Sequence, residues 1–186
     1  MKKIAVFASG NGTNFQAIID AIENGKLFAE IAVLVTDKPE CFAVKRALNH
    51  NIPVFSINTN NYTSKEEYEK KIASYLFEKN VSLIVLAGYM RLIGEVLLAA
   101  FPNRIINIHP ALLPAFPGKN SILQAYNYGV KVFGVTVHYV DEGIDTGKII
   151  AQDSFISVGT ETLQEIEQKI HAIEHKLYPK VIKDVL

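Results

Sequence analysis

The residues best suited to chemistry fall in the stretch Arg104–Gly118, R-I-I-N-I-H-P-A-L-L-P-A-F-P-G, where Asn107 and His109 stand two positions apart in a β-prone run. Side chains in a strand alternate faces, so an amide and an imidazole at this spacing point the same way. Pro110 ends the strand, and Pro114 and Pro117 hold the next residues in an irregular loop. Such a pair can donate hydrogen bonds to a developing oxyanion, as acyl transfer or hydrolysis requires, provided a carboxylate nearby accepts a proton. Asp141, Glu142 and Asp145 in the loop D-E-G-I-D-T-G are the candidates, and Asp145, flanked by Ile144 and Thr146-Gly147, is the most constrained of them. Taken alone, polar residues at a strand end more often satisfy local backbone groups, and acidic turns are usually solvated.

Other chemistries are less well supplied. No G-x-S-x-G is present, and Ser9 and Ser121 have no obvious base beside them. Cys41 lies on an apolar helix face and reads as a small core residue rather than a nucleophile. His171-Ala172-Ile173-Glu174-His175 matches the H-x-x-E-H of inverted zinc hydrolases, but the match is short and no clear third ligand accompanies it. His138 inside a strand and His50 at a helix end read as structural, so no metal is called for.

The elements that must position these residues alternate regularly. Lys3–Ala8 is a continuous β-prone run leading into S-G-N-G-T-N and then a helix over Phe15–Glu23. Gly10 and Gly12 permit close backbone approach, and the new helix turns its unpaired N–H groups toward the loop, an arrangement that binds phosphate. The third glycine of G-x-G-x-x-G is replaced by Phe15 and no G-K-[ST] is present, which weakens dinucleotide and P-loop readings. The bland alternative is a helix N-cap by Thr13 or Asn14, with glycines serving only the turn.

Strands over Glu30–Thr36, Ile52–Ile57, Val81–Ala87 and Arg104–Ile108 alternate with helices over Cys41–His50, Lys65–Lys79 and a short one ending at Phe101. Val81–Ala87 is the most hydrophobic and should lie centrally. This βαβαβαβαβ order predicts an α/β fold: a doubly wound, mostly parallel sheet with helices on both faces and ligands at the carboxyl ends of its strands. A polar helix over Ser121–Tyr128 comes next. Lys131–Val140 and Lys148–Ile156 then read as a β-hairpin, and Thr160–Val185 as a long amphipathic helix interrupted near Pro179.

With 186 residues, 49% of them hydrophobic and 20% charged, the chain fits one domain spanning residues 1–186. Nineteen Lys plus Arg balance nineteen Asp plus Glu, so no global field exists to hold nucleic acid or an anionic membrane. The apolar stretches fall short of a membrane span of roughly 20 residues. One cysteine and no signal-peptide pattern give a cytoplasmic reading.

Five motifs occur in one order: S-G-N-G-T-N; A-G-Y-M-R-L-I; N-I-H-P-A-L-L-P-A-F-P-G; G-V-T-V-H-Y-V-D-E-G-I-D-T-G; and E-H-K-L-Y-P. On these the chain resembles the phosphoribosylglycinamide formyltransferases along essentially its whole length. The resemblance implies direct formyl transfer from 10-formyltetrahydrofolate to the primary amine of glycinamide ribonucleotide through a tetrahedral intermediate, a step of purine synthesis. It assigns catalysis to Asn107, His109 and Asp145, and the substrate to Gly12, Thr13 and Asn14 at its phosphate and Glu174 at its ribose. Lys65, Met90, Arg91, Leu92, Ile93, Asn107, Val140 and Asp141 would border the folate.

The chain departs from the family at Lys119-Asn120-Ser121-Ile122, where many relatives carry histidine after P-G, and at Lys148, where proline is common after D-T-G. Formyltransferases acting on initiator methionyl-tRNA and formyltetrahydrofolate hydrolases share the Asn, His and Asp core but usually add a further domain. A non-enzymatic nucleotide-binding module would leave those three residues without a purpose. The sequence is silent on oligomeric state.

Overall fold

A computed structural model describes all of residues 1–186, and its elements come in the predicted alternation. Strand β1 spans Lys2–Phe7, helix α1 Thr13–Glu23, β2 Ala29–Thr36, α2 Phe42–Asn49, β3 Val54–Ser56, α3 Lys65–Glu78 and β4 Leu83–Leu86. Next are helix α4 over Glu95–Ala100, β5 over Ile105–His109, α5 over Ser121–Tyr128, β6 over Val132–Tyr139, β7 over Ile149–Ile156 and α6 over Leu163–Val185. A single 3-10 turn at Thr59–Asn61 has no counterpart in the sequence pattern; the Asn58 side chain closes it by accepting from the Asn60 N–H.

The seven strands form one sheet in the order β3-β2-β1-β4-β5-β6-β7. Strands β1 to β5 pair in parallel, whereas β5–β6 and β6–β7 are antiparallel. The apolar β4 is the central strand, and every residue of it is buried. Alternation along β1 divides the core between the two faces. Ile4 and Val6 join the layer under α1, α2, α5 and α6, while Ala5 and Phe7 join the layer under α3 and α4. Strand order reverses between β1 and β4, so the loops leaving their carboxyl ends diverge and open a crevice there.

The C-terminal helix is not interrupted at Pro179. A mid-helix proline costs about 3 kcal/mol or more. Leu177, Tyr178, Val181 and Ile182 around it are all buried, and at roughly 1.5–3 kcal/mol for each fully buried apolar side chain the packing outweighs that cost. The helix starts with a capping box: Thr162 Oγ1 accepts from the Glu165 N–H, and the Glu165 carboxylate accepts from the Thr162 N–H. No helix of the chain is long and apolar enough to cross a membrane.

Candidate active site

Asn107 and His109 lie on one face of β5, and the register of the neighbouring strands decides what meets them. Asn107 is opposite Leu86 of β4 on one side and His138 of β6 on the other, while His109 is opposite Thr136. His109 is buried at 4% exposure. Asp145 reaches the pair from the β6–β7 loop, its backbone in the left-handed region at φ 55°. Two residues on, a Cβ at Gly147 would lie 1.8 Å from the Tyr139 carbonyl oxygen, so only glycine lets the loop close this tightly.

The Asp145 carboxylate is the hub of the site. Its Oδ2 accepts the Gly118 N–H at 2.8 Å and lies 3.3 Å from His109 Nδ1. Its Oδ1 lies 3.4 Å from Asn107 Nδ2 and 3.5 Å from His138 Nε2. Burial raises the proton affinity of this carboxyl, but the Gly118 N–H and the charge of His109 hold Asp145 below the ordinary carboxylate range.

Hydrogen-bond partners assign the rings. His109 Nε2 lies 2.8 Å from the Phe116 carbonyl, which can only accept, and its Nδ1 faces a carboxylate, which also only accepts. A doubly protonated ring satisfies both. His138 Nδ1 lies 2.8 Å from the Tyr139 carbonyl and must donate, which leaves Nε2 as the acceptor for Asn107 Nδ2 at 3.2 Å. His138 is therefore part of the site, orienting the Asn107 amide, and not merely a strand residue. Nothing local in the sequence signals this; the signal is the cross-strand register, which requires β6 to run antiparallel beside β5.

The loop after β5 is held by a buried network. Thr136 Oγ1 donates to the Ala111 carbonyl at 2.7 Å and accepts from the Leu113 N–H at 3.0 Å, and Gln152 Nε2 donates to the Leu113 carbonyl at 3.0 Å. These bonds fix the loop whose Phe116 carbonyl and Gly118 N–H engage His109 and Asp145.

The glycine loop is equally definite. Gly12 is the N-cap of α1 at φ 73°, and no side chain caps the helix. Thr13 and Asn14 are inside the first turn, so the N-cap alternative for them is not what forms. The first intrahelical bond runs from the Gln16 N–H to the Gly12 carbonyl, leaving the Thr13, Asn14 and Phe15 N–H groups without protein acceptors. Arg46 braces the loop, donating to the Asn11 carbonyl, Asn11 Oδ1 and Gln16 Oε1 at 2.9, 3.1 and 3.1 Å. Free N–H groups, the helix dipole and an arginine together suit a phosphate.

A cleft enclosing about 100 Å3 lies beside Asn107, walled by Tyr89, Arg91, Leu92, Ile93, Val140 and Asp141–Asp145. Ligand pockets usually hold about 300–1,000 Å3, so this cleft is small. Arg91 lines the cleft, but its guanidinium is committed to Asp37 at 3.0 Å and Thr59 at 2.7 Å. Asp141 Oδ1 closes its own turn, accepting from the Gly143 N–H and the Thr146 hydroxyl. Met90 and Lys65 are not in the wall. The Met90 side chain is 60% exposed while its N–H donates to Ser9 Oγ, and Lys65 Nζ lies 3.9 Å from the buried Glu69.

Glu174 is buried on α6, its Oε2 2.8 Å from His171 Nδ1. This bond draws the His171 pKa upward against the opposing effect of burial. Tyr178, one turn further on the same face, donates its hydroxyl to the Leu86 and Ile106 carbonyls, so this face of α6 packs on β4 and β5. The H-x-x-E-H motif is therefore partly absorbed by an internal ion pair, and no group of three His, Cys, Asp or Glu side chains is arranged to hold a metal ion.

Known proteins match this chain in sequence and in fold. The formyl transferase family matches residues 2–182. A phosphoribosylglycinamide formyltransferase of Bacillus subtilis is 53% identical over 186 residues, covering 100% of this chain and 95% of its own length. That of Haemophilus influenzae is 38% identical, covering 98% of this chain and 86% of its own. The crystal structure of glycinamide ribonucleotide transformylase 1 from Geobacillus kaustophilus superposes with a TM-score of 0.97 at 52% identity, over 100% of this chain and 99% of that one. The chain belongs to the formyl transferase family.

Proposed function

We propose that this protein transfers a formyl group from 10-formyltetrahydrofolate to the amine of glycinamide ribonucleotide, and that Asn107, His109 and Asp145 carry the reaction. The observation that supports this best is the convergence of an amide donor, an imidazole and a low-pKa carboxylate beside a glycine loop with free N–H groups. A phosphate on Gly12–Asn14 would anchor one end of the substrate and leave its amine to reach β5. The folate supplies the activated formyl carbon, and an apolar wall of Leu92, Ile93 and Val140 fits one face of its ring system.

Asn107 and His109 are suited to the oxygen that becomes negative when the amine adds to the formyl carbon. Asn107 Nδ2 has two hydrogens, one fixed on His138 and the other in a long contact with Asp145. His109 Nδ1 likewise meets Asp145 at 3.3 Å. Both contacts exceed the usual charge-assisted length of about 2.7–2.9 Å, so the hydrogens can pass to an oxyanion at little cost. The Phe116 carbonyl keeps Nε2 occupied, so the ring presents Nδ1 and does not flip. Asp145, ionised, accepts a proton from the attacking amine, directly or through water, and returns it to the folate nitrogen as that nitrogen leaves. The cycle closes with every proton accounted for and no covalent enzyme intermediate.

The test is an assay of formyl transfer from 10-formyltetrahydrofolate with glycinamide ribonucleotide, initiator methionyl-tRNA and water as competing acceptors. Formylation confined to the ribonucleotide is the expected result. Preference for either of the others refutes the substrate assignment.

A further inference from the structure

The chain is electrically balanced as a whole, but its charge is not evenly spread. A groove of about 650 Å3 runs between α1 and α6, and its walls carry Lys26, Arg46, Lys176, Lys180 and Lys183 against a single carboxylate, Asp20. None of these cations is in an ion pair, although lysines elsewhere find carboxylates at Glu30, Glu69 and Glu161. Asp20 is itself engaged by Gln16 Nε2 at 2.9 Å. Lys176, Lys180 and Lys183 are exposed and follow i, i+4, i+7 spacing, so they form one row along the groove. The head of the groove is made by Thr13, Gln16 and Arg46, at the first turn of α1 where the N–H groups lack acceptors.

We infer that the α1/α6 groove is the electrostatic approach for the phosphorylated substrate, drawing its phosphate along the lysine row to the loop Gly12–Asn14. The substrate's identity rests on the function proposed above; the capture of a phosphate dianion by Lys176, Lys180 and Lys183 is the groove's own property. Cations concentrated along a concave wall raise encounter rates by about 10–1,000-fold at low salt, and the gain disappears as added ions screen the field. Lining an approach with lysine rather than arginine suits this role, because a hydrated point charge attracts without locking the ligand in bidentate geometry.

The experiment compares the native chain with the triple variant Lys176→Gln, Lys180→Gln, Lys183→Gln across ionic strength, with thermal melting to verify folding. At low salt kcat/KM for glycinamide ribonucleotide should fall about tenfold or more, with a flatter salt dependence. The kcat at saturation and the KM for the folate should hold. Equal kcat/KM and equal salt slopes overturn the inference. Should the native enzyme not formylate glycinamide ribonucleotide at all, the functional proposal fails, and inorganic phosphate titrated into both proteins by NMR decides the groove. Weaker phosphate binding in the variant supports it, and equal binding overturns it.

Discussion

Replacing Asp145 by asparagine keeps the shape of the side chain and removes its charge. An asparagine carbonyl placed where Oδ2 stands retains the 2.8 Å bond from the Gly118 N–H, so the loop after β5 stays docked. Its amide then faces Oδ1's former neighbours, Asn107 Nδ2 at 3.4 Å and His138 Nε2 at 3.5 Å, neither of which has a free acceptor for it. The losses are a long contact to Asn107 and the charge beside His109, together worth roughly 1–2 kcal/mol. For a chain of this size each kcal/mol moves Tm by about 2–4 °C, so Asp145→Asn should melt roughly 2–8 °C lower.

Turnover should suffer far more, because a neutral amide neither holds the imidazolium nor accepts the amine proton. Positioned proton transfer contributes about 10²–10⁴-fold, and kcat should fall by roughly that factor with both KM values within about threefold. Steady-state kinetics beside a thermal melt read both quantities. A well-folded variant whose kcat stays within about tenfold of the native value refutes the proton role. The stability difference also has a defined pH course. The folded pKa of Asp145 lies below its ordinary 3.8, so its charged form stabilises the fold above that value and the contribution is lost as pH falls through the folded pKa. The gap between native and variant is full at neutral pH and closes below about pH 4; a gap that widens in acid contradicts the assignment.

Asn107→Ala and His109→Ala should each lower kcat at least about a hundredfold, the cost of an oxyanion donor, and unchanged turnover in a purified variant rejects that donor. Gly12→Ala places a Cβ 2.8 Å from Ala43 Cβ and 3.0 Å from its Cα at φ 73°. Left-handed strain of about 1–2 kcal/mol and overpacking of about 1–3 kcal/mol add to a Tm loss of roughly 4–20 °C, and a melt within about 1 °C of native refutes the close approach. Tyr178→Phe strips the hydroxyl donor from the Leu86 and Ile106 carbonyls in the core. That should cost roughly 1–3 kcal/mol, seen in denaturant titration as a lower midpoint at unchanged slope.

The fold is legible in the sequence because each element has a local reason. The β-prone run of β4, the spacing of Tyr68, Ile72 and Leu76 on α3, and the glycine turn before α1 depend only on neighbours a few residues away. Asn107 and His109 are legible too, since a two-residue spacing in a strand is a local fact. His138 reads as structural in the sequence because its importance is non-local: it becomes part of the site only through the pairing of Asn107 with His138 across β5 and β6. Pro179 misleads for the converse reason. The local rule for proline is sound, but tertiary burial around Leu177, Tyr178 and Val181 overrules it. Only the family resemblance puts Lys65 and Met90 at the cleft; their residue types and spacing carry no such signal.

The reach of Asp145 is a consequence of strand lengths. Leu86, the last residue of β4, pairs with Asn107, so β5 continues past the carboxyl edge of β4 to His109. Because β6 is antiparallel to β5, it ends beside Ile106, where the Val140 N–H donates to the Ile105 carbonyl. The β6–β7 loop therefore starts level with Ile84 and Val85 inside β4, and it walls the cleft together with the loop over residues 88–94. A sixth strand parallel to β5 would start, not end, at that level, and a carboxylate on its following loop would lie beyond His109 instead of between His109 and Asn107. The change of direction at β6 thus brings Asp145 and His138 to the same pair of side chains, and Gly147 lets the loop turn sharply enough to use it.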